Sequence, residues 1–170
     1  MKIVKDYRDT KELRDSFNEL AKKVFNLSFE EWYQNGFWKE NYNPVSIVIE
    51  GKVVSNVSVN KCNMNYNGNI LKLLQLGTVM TAPEYRGNGY VRILMDEIMK
   101  EYEGKVDGIY LYANDSVLDF YPKFGFVTKP EFQYSKHVIN TATDVTENIP
   151  METSEAVSYT HLRAHETRSN

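Results

Sequence analysis

Residues 76–95, Leu76-Gly-Thr-Val-Met-Thr-Ala-Pro-Glu-Tyr-Arg-Gly-Asn-Gly-Tyr-Val-Arg-Ile-Leu-Met95, hold the signal that decides the fold. Ile70–Met80 is apolar enough for a central strand. Pro83–Gly89 reads as a loop. Tyr90–Glu103 carries a helical stripe of Val91, Leu94, Met95, Ile98 and Tyr102. A strand thus runs into a glycine-containing loop that opens directly into a helix. Such an arrangement binds anions, because the first N–H groups of the helix lack partners and its dipole favours negative charge there. Glycines let the backbone approach phosphate oxygens closely. The Gly-Lys-Ser/Thr of a Walker loop is missing, and so is the G-x-G-x-x-G dinucleotide fingerprint.

Upstream, residues 2–7 alternate as a short strand. Asp9 and Glu12 have capping-box spacing, and Leu13, Phe17, Leu20, Ala21 and Val24 follow at helical intervals. Ser28 with Glu31 repeats the capping signal before an aromatic run, Trp32, Tyr33, Phe37, Trp38 and Tyr42. Val45–Ile49 and Val53–Asn60 read as strands joined by Glu50-Gly51-Lys52, and Asn67-Gly68 is a strong hairpin turn. Downstream, Val106–Ala113 is a short strand. Ser116 with Asp119 caps a short helix that Pro122 weakens and Gly125 ends, and Phe126–Val127 and Phe132–Ile139 supply the last strands. The order β-α-α-β-β-β-α-β-α-β-β gives an α/β (α+β) domain with a mixed sheet.

The chain has 170 residues, 42% hydrophobic and 25% charged, which suits one globular domain with its own core. No run approaches the length of a membrane span, and MKIVKDYRDT is no secretory signal. A single cysteine, Cys62, excludes an internal disulfide and a multi-cysteine metal site, so a cytoplasmic protein without metal or membrane is expected. The net charge of -3 argues against general nucleic-acid binding.

The tail differs in composition. Residues 1–156 hold 14 Lys and 4 Arg, whereas residues 157–170 hold 2 Arg, 2 His and no Lys. Val157–Thr167 resembles, over all 11 residues, the translation of a transposase-based sequencing adapter. Residues 157–170 are therefore expected to be non-native. His161 and His165 are not read as metal ligands, and 140–156 is read as the start of a linker or a truncated C-terminal region. Without the tail the charge is 18 basic against 22 acidic residues, or -4.

Arg86-Gly87-Asn88-Gly89-Tyr90-Val91 resembles the R/Q-x-x-G-x-G/A acetyl-CoA loop of the GNAT acetyltransferase superfamily. The first two motif positions match, and Val91 stands where the pattern has Gly or Ala. Phe120-Tyr121-Pro122-Lys123-Phe124-Gly125-Phe126 is similar to the F-Y-x-K-x-G-F segment common in that superfamily, in the expected order and spacing. The resemblance covers residues 1–139. It implies a single-domain GNAT fold with a mostly antiparallel sheet, and acetyl-CoA as cosubstrate. It further implies that the backbones of Val79, Met80 and Thr81 bond the pantetheine arm like an added strand. Amides from Arg86 through Gly87, Asn88, Gly89, Tyr90 and Val91 would hold the pyrophosphate. Asn114 would bond the cofactor or a water, and Arg92 has two readings, a phosphate contact or a solvated helix residue.

Tyr121 is the residue the resemblance points to for chemistry. Coenzyme A leaves as a thiolate when an amine attacks the thioester. Reference pKa values of about 10 for Tyr and about 8.5 for a thiol make full proton transfer uphill by roughly 2 kcal/mol. Tyr121 is thus read as a hydrogen-bond donor to the developing charge. Many GNAT enzymes place a Glu on the strand before the loop; here that position falls near Gly77, with Gln75 and Thr78 as the polar neighbours. Water, Glu30, Glu31 or a group beyond Ala156 remain as bases. The similarity of Arg86–Met95 to the R-G-x-G-x-x-R-x-L-M loop of some two-lobed GNAT proteins hints at a larger parent. The aromatic run is read as core packing or as the wall of an amine-acceptor site. The expected function is N-acetyl transfer to a small-molecule or protein amine. The alternative is a non-catalytic acyl-CoA-binding or regulatory module, which Val91 and the missing strand Glu motivate.

Overall fold

The computed structural model describes residues 1–130. The expected strand over Phe132–Ile139 and the readings of residues 140–156 and 157–170 lie outside the described residues. The elements are β1 (Lys2–Val4), α1 (Lys11–Phe25), α2 (Glu30–Gln34), β2 (Tyr42–Ile49), β3 (Lys52–Tyr66), β4 (Asn69–Thr81), α3 (Tyr90–Tyr102) and β5 (Gly108–Leu111). The five strands form one sheet in the order β1-β2-β3-β4-β5. All neighbours are antiparallel except β4 and β5, which α3 connects in parallel.

Turn chemistry sets the meander. Glu50 and Gly51 both have positive φ (50° and 79°), as do Asn67 and Gly68 (51° and 83°). Two consecutive left-handed residues twist a hairpin in the same sense as its strands, so both turns are tight two-residue loops. The second turn lets β3 and β4 pair from Tyr66–Asn69 back to Ser55–Thr81. β3 consequently runs six residues beyond the expected Asn60 end.

Helices cover both faces of the sheet. On one face Leu94, Met95 and Ile98 of α3, each fully buried, pack on Val45, Ile47, Val57, Val59, Leu74 and Leu76. On the other, Phe17, Leu20 and Ala21 of α1 pack with Tyr7, Trp38, Val48, Val53 and Met80. Residues 53–59 of β3 are therefore buried without a break, polar Ser55, Asn56 and Ser58 included. The β2–β3 register skips Val54, pairing Ile47 with Ser55 and Val48 with Val53. That bulge puts Val54 on the α3 face with Val57 and Val59, which accounts for the spacing of three between Val54 and Val57.

Three expected caps resolve differently. The N-cap of α1 is Thr10, and its side chain makes no capping bond. Asp9 instead accepts from its neighbour Arg8 and from the Tyr33 hydroxyl (3.2 Å), so one adjacent and one tertiary partner outcompete the capping box. Ser28 does accept from the Glu30 N–H, at 3.4 Å, ahead of a helix of five residues. The helix expected after Ser116 is two 3₁₀ turns, Asp115–Val117 and Tyr121–Phe124, the second with Pro122 in its first turn. Proline has no N–H to continue an α-helix, and Gly125 closes the turn at φ 85°.

Candidate functional site

The loop between β4 and α3 presents a series of backbone N–H groups that could hold an anion. A 3₁₀ turn over Pro83–Tyr85 leads to Arg86 in an extended conformation. Gly87 and Gly89 follow with φ 81° and 73°, and Gly89 is the N-cap of α3. The first helical bond comes from Ile93 N–H to Gly89 C=O, 3.1 Å. Among the described residues no acceptor meets the backbone N–H groups of Gly87, Asn88, Gly89, Tyr90, Val91 or Arg92. An α-helix always leaves its first N–H groups without intrahelical partners, and here the two left-handed glycines extend the series into the loop. The loop holds its own shape. The Asn88 amide donates to the carbonyls of Tyr85 (3.0 Å) and Arg86 (3.4 Å), and Arg86 Nε donates to Thr81 C=O at 3.3 Å. Asn88 and Arg86 thus use their side chains to fix the turn.

A second feature lies immediately upstream. β4 and β5 pair from Leu73–Gly108 to Leu76–Leu111 and then part. β4 continues to Thr81, paired on its β3 side. Its other edge, from Gly77 to Thr81, is therefore an open strand edge among the described residues, able to bond an extended ligand by β-augmentation. The parting coincides with a bulge in β4. Asn56 pairs with Met80 and Ser58 with Gly77, so Thr78 and Val79 together oppose Val57. Thr78 has φ 47°. Val79 packs on the α3-side core, whereas the Met80 side chain is buried on the α1 side, 2% exposed. Met80 and Val79 therefore have only main-chain groups to offer a ligand.

Tyr121 is buried, in edge contact with Phe120 (5.3 Å between centroids) and Phe126 (6.1 Å). Burial pushes its phenol above the ordinary value of 10.0, so it stays a proton donor at neutral pH. The Arg92 guanidinium lies over the Phe124 ring at 5.1 Å, and Phe124 and Phe126 pack on the α3-side core. The Tyr121–Phe126 turn is thereby held against the N-terminal half of α3. That contact also gives Arg92 a partner which the sequence did not reveal. Asn114 is exposed at the end of β5, where its carbonyl accepts from Val117 N–H (3.0 Å) at the start of a 3₁₀ turn.

The matching family is described as an acetyltransferase (GNAT) domain and covers residues 7–128. The chain belongs to the GNAT acetyltransferase family. No curated protein matches it. Solved structures with the same fold include an acetyltransferase of Trypanosoma brucei, with a TM-score of 0.62 and 18% identity over 80% of this chain and 99% of that one. Glucosamine-6-phosphate N-acetyltransferase from Arabidopsis thaliana is similar at a TM-score of 0.60 and 20% identity, over 80% and 97%. A predicted acetyltransferase from Clostridium acetobutylicum, solved with acetyl-CoA, is similar at a TM-score of 0.60 and 17% identity, over 79% and 95%. At these identities the likeness is one of fold.

Within this GNAT domain Glu30 is a poor base. Its carboxylate accepts from Arg14 Nε (2.9 Å), Asn18 (3.2 Å) and Gln34 (2.7 Å). The Arg14 bond, with help from Gln34, holds its pKa below the ordinary value. Arg14 is itself buried, stacked on Tyr33 at 3.7 Å. The aromatic run is mainly core. Trp38 is 3% exposed, meets the rings of Phe17, Phe29, Trp32, Tyr33 and Tyr42, and donates its indole N–H to Tyr42 C=O. Phe37 is the exception, 61% exposed, and the Tyr42 hydroxyl reaches Thr78 Oγ1 at 2.8 Å, on the β4 bulge. Sequence reasoning missed Asn56 as a neighbour of the site and placed Tyr42 only in the aromatic run, because their link to Thr78 is purely tertiary.

Among the described residues no helix is long and apolar enough to cross a membrane.

Proposed function

We propose that this GNAT domain moves the acetyl group of acetyl-CoA to a primary amine, by direct attack within a ternary complex. The observation that carries the reading is the run of six N–H groups, Gly87–Arg92, without partners among the described residues, beside a strand edge at Gly77–Thr81 that is open among the same residues. A pyrophosphate matches the first in charge and an amide-bearing pantetheine arm matches the second in hydrogen bonding. The amine nitrogen forms a bond to the thioester carbonyl carbon, and the carbon–sulfur bond breaks with its electron pair on sulfur. Tyr121 donates a hydrogen bond to that thiolate. The amine proton passes to water or to a base other than Glu30, which is held by Arg14.

The acyl-transfer unit in this proposal spans residues 1–139, with the cytoplasm as its compartment, and the acceptor is an amine on a small molecule or a protein. The test is release of free thiol from acetyl-CoA across a panel of primary amines, together with direct binding of coenzyme A. Replacing Tyr121 by Phe removes one hydrogen bond to a charged sulfur, about 1.5–3 kcal/mol, so kcat falls roughly 10- to 100-fold with little change in KM for acetyl-CoA. Thiol release unaffected by Tyr121→Phe would remove that residue from the chemistry. A second reading rests on Val91, which narrows the motif: the domain binds acyl-CoA without turnover. Tight coenzyme A binding with no thiol release from any amine would favour it.

A further inference from the structure

Among the described residues, five that are not glycine have positive φ: Asp6, Asn26, Glu50, Asn67 and Thr78. The first four lie in turns, loops or a helix cap, and Thr78 alone lies inside a strand. It is also the only β-branched one of the five. A β-branched residue in the left-handed region is a true outlier, and such conformations persist only where the surroundings over-determine them.

Two side chains hold Thr78. Asn56 Nδ2 donates to its carbonyl at 2.8 Å, and the Tyr42 hydroxyl meets its Oγ1 at 2.8 Å. Asn56 is fully buried and fully used. Its Nδ2 also donates to Ser58 Oγ (2.9 Å), and its Oδ1 accepts from Ser46 Oγ (2.8 Å), which in turn meets Tyr7 OH (2.6 Å). Every member of this chain is neutral. Burial pushes the Tyr42 phenol up to about 12 and the Tyr7 phenol further. Nothing in it takes up a proton near neutral pH, so it is no proton path. What it delivers is geometry.

The geometry matters for one reason. An extra residue in a strand shifts the alternation of everything after it by one position. The bulge at Thr78 thus selects which N–H and C=O groups of Val79, Met80 and Thr81 face the open edge and which face β3.

We propose that Asn56 is a positioning residue for acetyl-CoA. By holding the Thr78 carbonyl it fixes the bulge, and the bulge presents the correct main-chain groups to the pantetheine amides. The proposal rests on the acetyl-CoA reading of the open edge. It makes Asn56 matter for the pantetheine arm and not for the phosphates, which bind at Gly87–Arg92.

The test is a cycle in the full chain: Asn56→Ala, Thr78→Gly and the double variant, each titrated with coenzyme A and with adenosine 3′-phosphate 5′-diphosphate, which keeps the pyrophosphate and lacks pantetheine. Asn56→Ala is expected to weaken coenzyme A about tenfold, the scale of one lost hydrogen bond with its orphaned partner, and to leave the nucleotide unchanged. Glycine adopts positive φ without strain, so in the Thr78→Gly background the same substitution is expected to weaken binding by less than about threefold. Equal losses for both ligands, or no rescue by glycine, overturns the proposal. Tyr42→Phe, which removes only the second hold, is the milder variant: coenzyme A binding about threefold weaker supports the bulge's role, and no change counts against it. If the unsubstituted chain binds no coenzyme A, the acetyl-CoA reading is what fails. Urea unfolding of the same cycle then decides the clamp: coupling between positions 56 and 78 keeps it, and strict additivity overturns it.

Discussion

Replacing Gly89 by Ala probes the loop at its junction with α3. Gly89 is the N-cap of α3, with φ 73° and ψ 12°. A Cβ built there meets no atom within 4 Å, so the substitution introduces no clash and its cost is conformational. Left-handed backbone costs an L-residue roughly 1–2 kcal/mol, while Ala stiffens the unfolded chain by roughly 0.4–1 kcal/mol in the opposite direction. The balance is a loss of about 1 kcal/mol, read as a lower urea midpoint and a Tm lower by roughly 2–4 °C. Gly89→Asn, a residue that visits this region more readily, is expected to lose only a few tenths of a kcal/mol. The ligand shows the second effect. If the alanine variant relaxes toward negative φ at this joint, the N–H groups of Tyr90, Val91 and Arg92 turn away from a common centre. Coenzyme A affinity then falls about tenfold, with the Asn variant again milder. An Ala variant as stable as the parent would refute the conformational argument. An Ala variant that is destabilised yet binds coenzyme A undiminished would refute the loop's anion-binding role.

Other expectations follow from the same geometry. Val91→Ala restores the small residue of the family motif. It is expected to tighten coenzyme A severalfold by calorimetry while costing about 1 kcal/mol in urea, since Val91 packs partly on the α3-side core. Glu30→Gln leaves the buried Arg14 without its anionic partner and is expected to cost about 1–3 kcal/mol. The Glu30 pKa is depressed, so its contribution is present above the ordinary 4.5 and is lost as pH falls through its folded value. Urea midpoints of the parent should therefore drop more between about pH 5 and 3 than those of Glu30→Gln, and parallel profiles would contradict the pairing. Leu94→Ala empties a fully buried site between α3 and the sheet and is expected to cost about 2–5 kcal/mol, measured by the same unfolding curves.

The strand–loop–helix was legible because its determinants are local. Glycines at 87 and 89 sit where the backbone needs positive φ, and the apolar stripe of α3 is periodic over a full 13 residues. The Asn67-Gly68 hairpin was legible for the same reason. The caps at Asp9 and Ser116 misled, since a capping box competes with any stronger partner. Asp9 found Arg8 and Tyr33, and Pro122 broke the helix that Ser116 was to open. The bulge at Thr78 was not read. Gly77 inside an apolar run is a local bulge signal, but what holds the bend comes from Asn56 and Tyr42, 22 and 36 residues away. Glu30 failed as a base for an equally long-range reason, its ion pair with Arg14 of α1. Within the proposed site, Gly87–Val91 and, through the family resemblance, Val79–Thr81 were named from the sequence, whereas the bulge that sets which main-chain groups of Val79–Thr81 face outward is tertiary.

The central claim is that the open edge of β4 and the free N–H groups before α3 form one acetyl-CoA site. Calorimetric titration of the chain with coenzyme A tests it most directly. The account expects saturable binding to a single site per chain, weaker with adenosine 3′-phosphate 5′-diphosphate because the β4 edge is left empty. No binding heat at millimolar coenzyme A from the folded protein would contradict it.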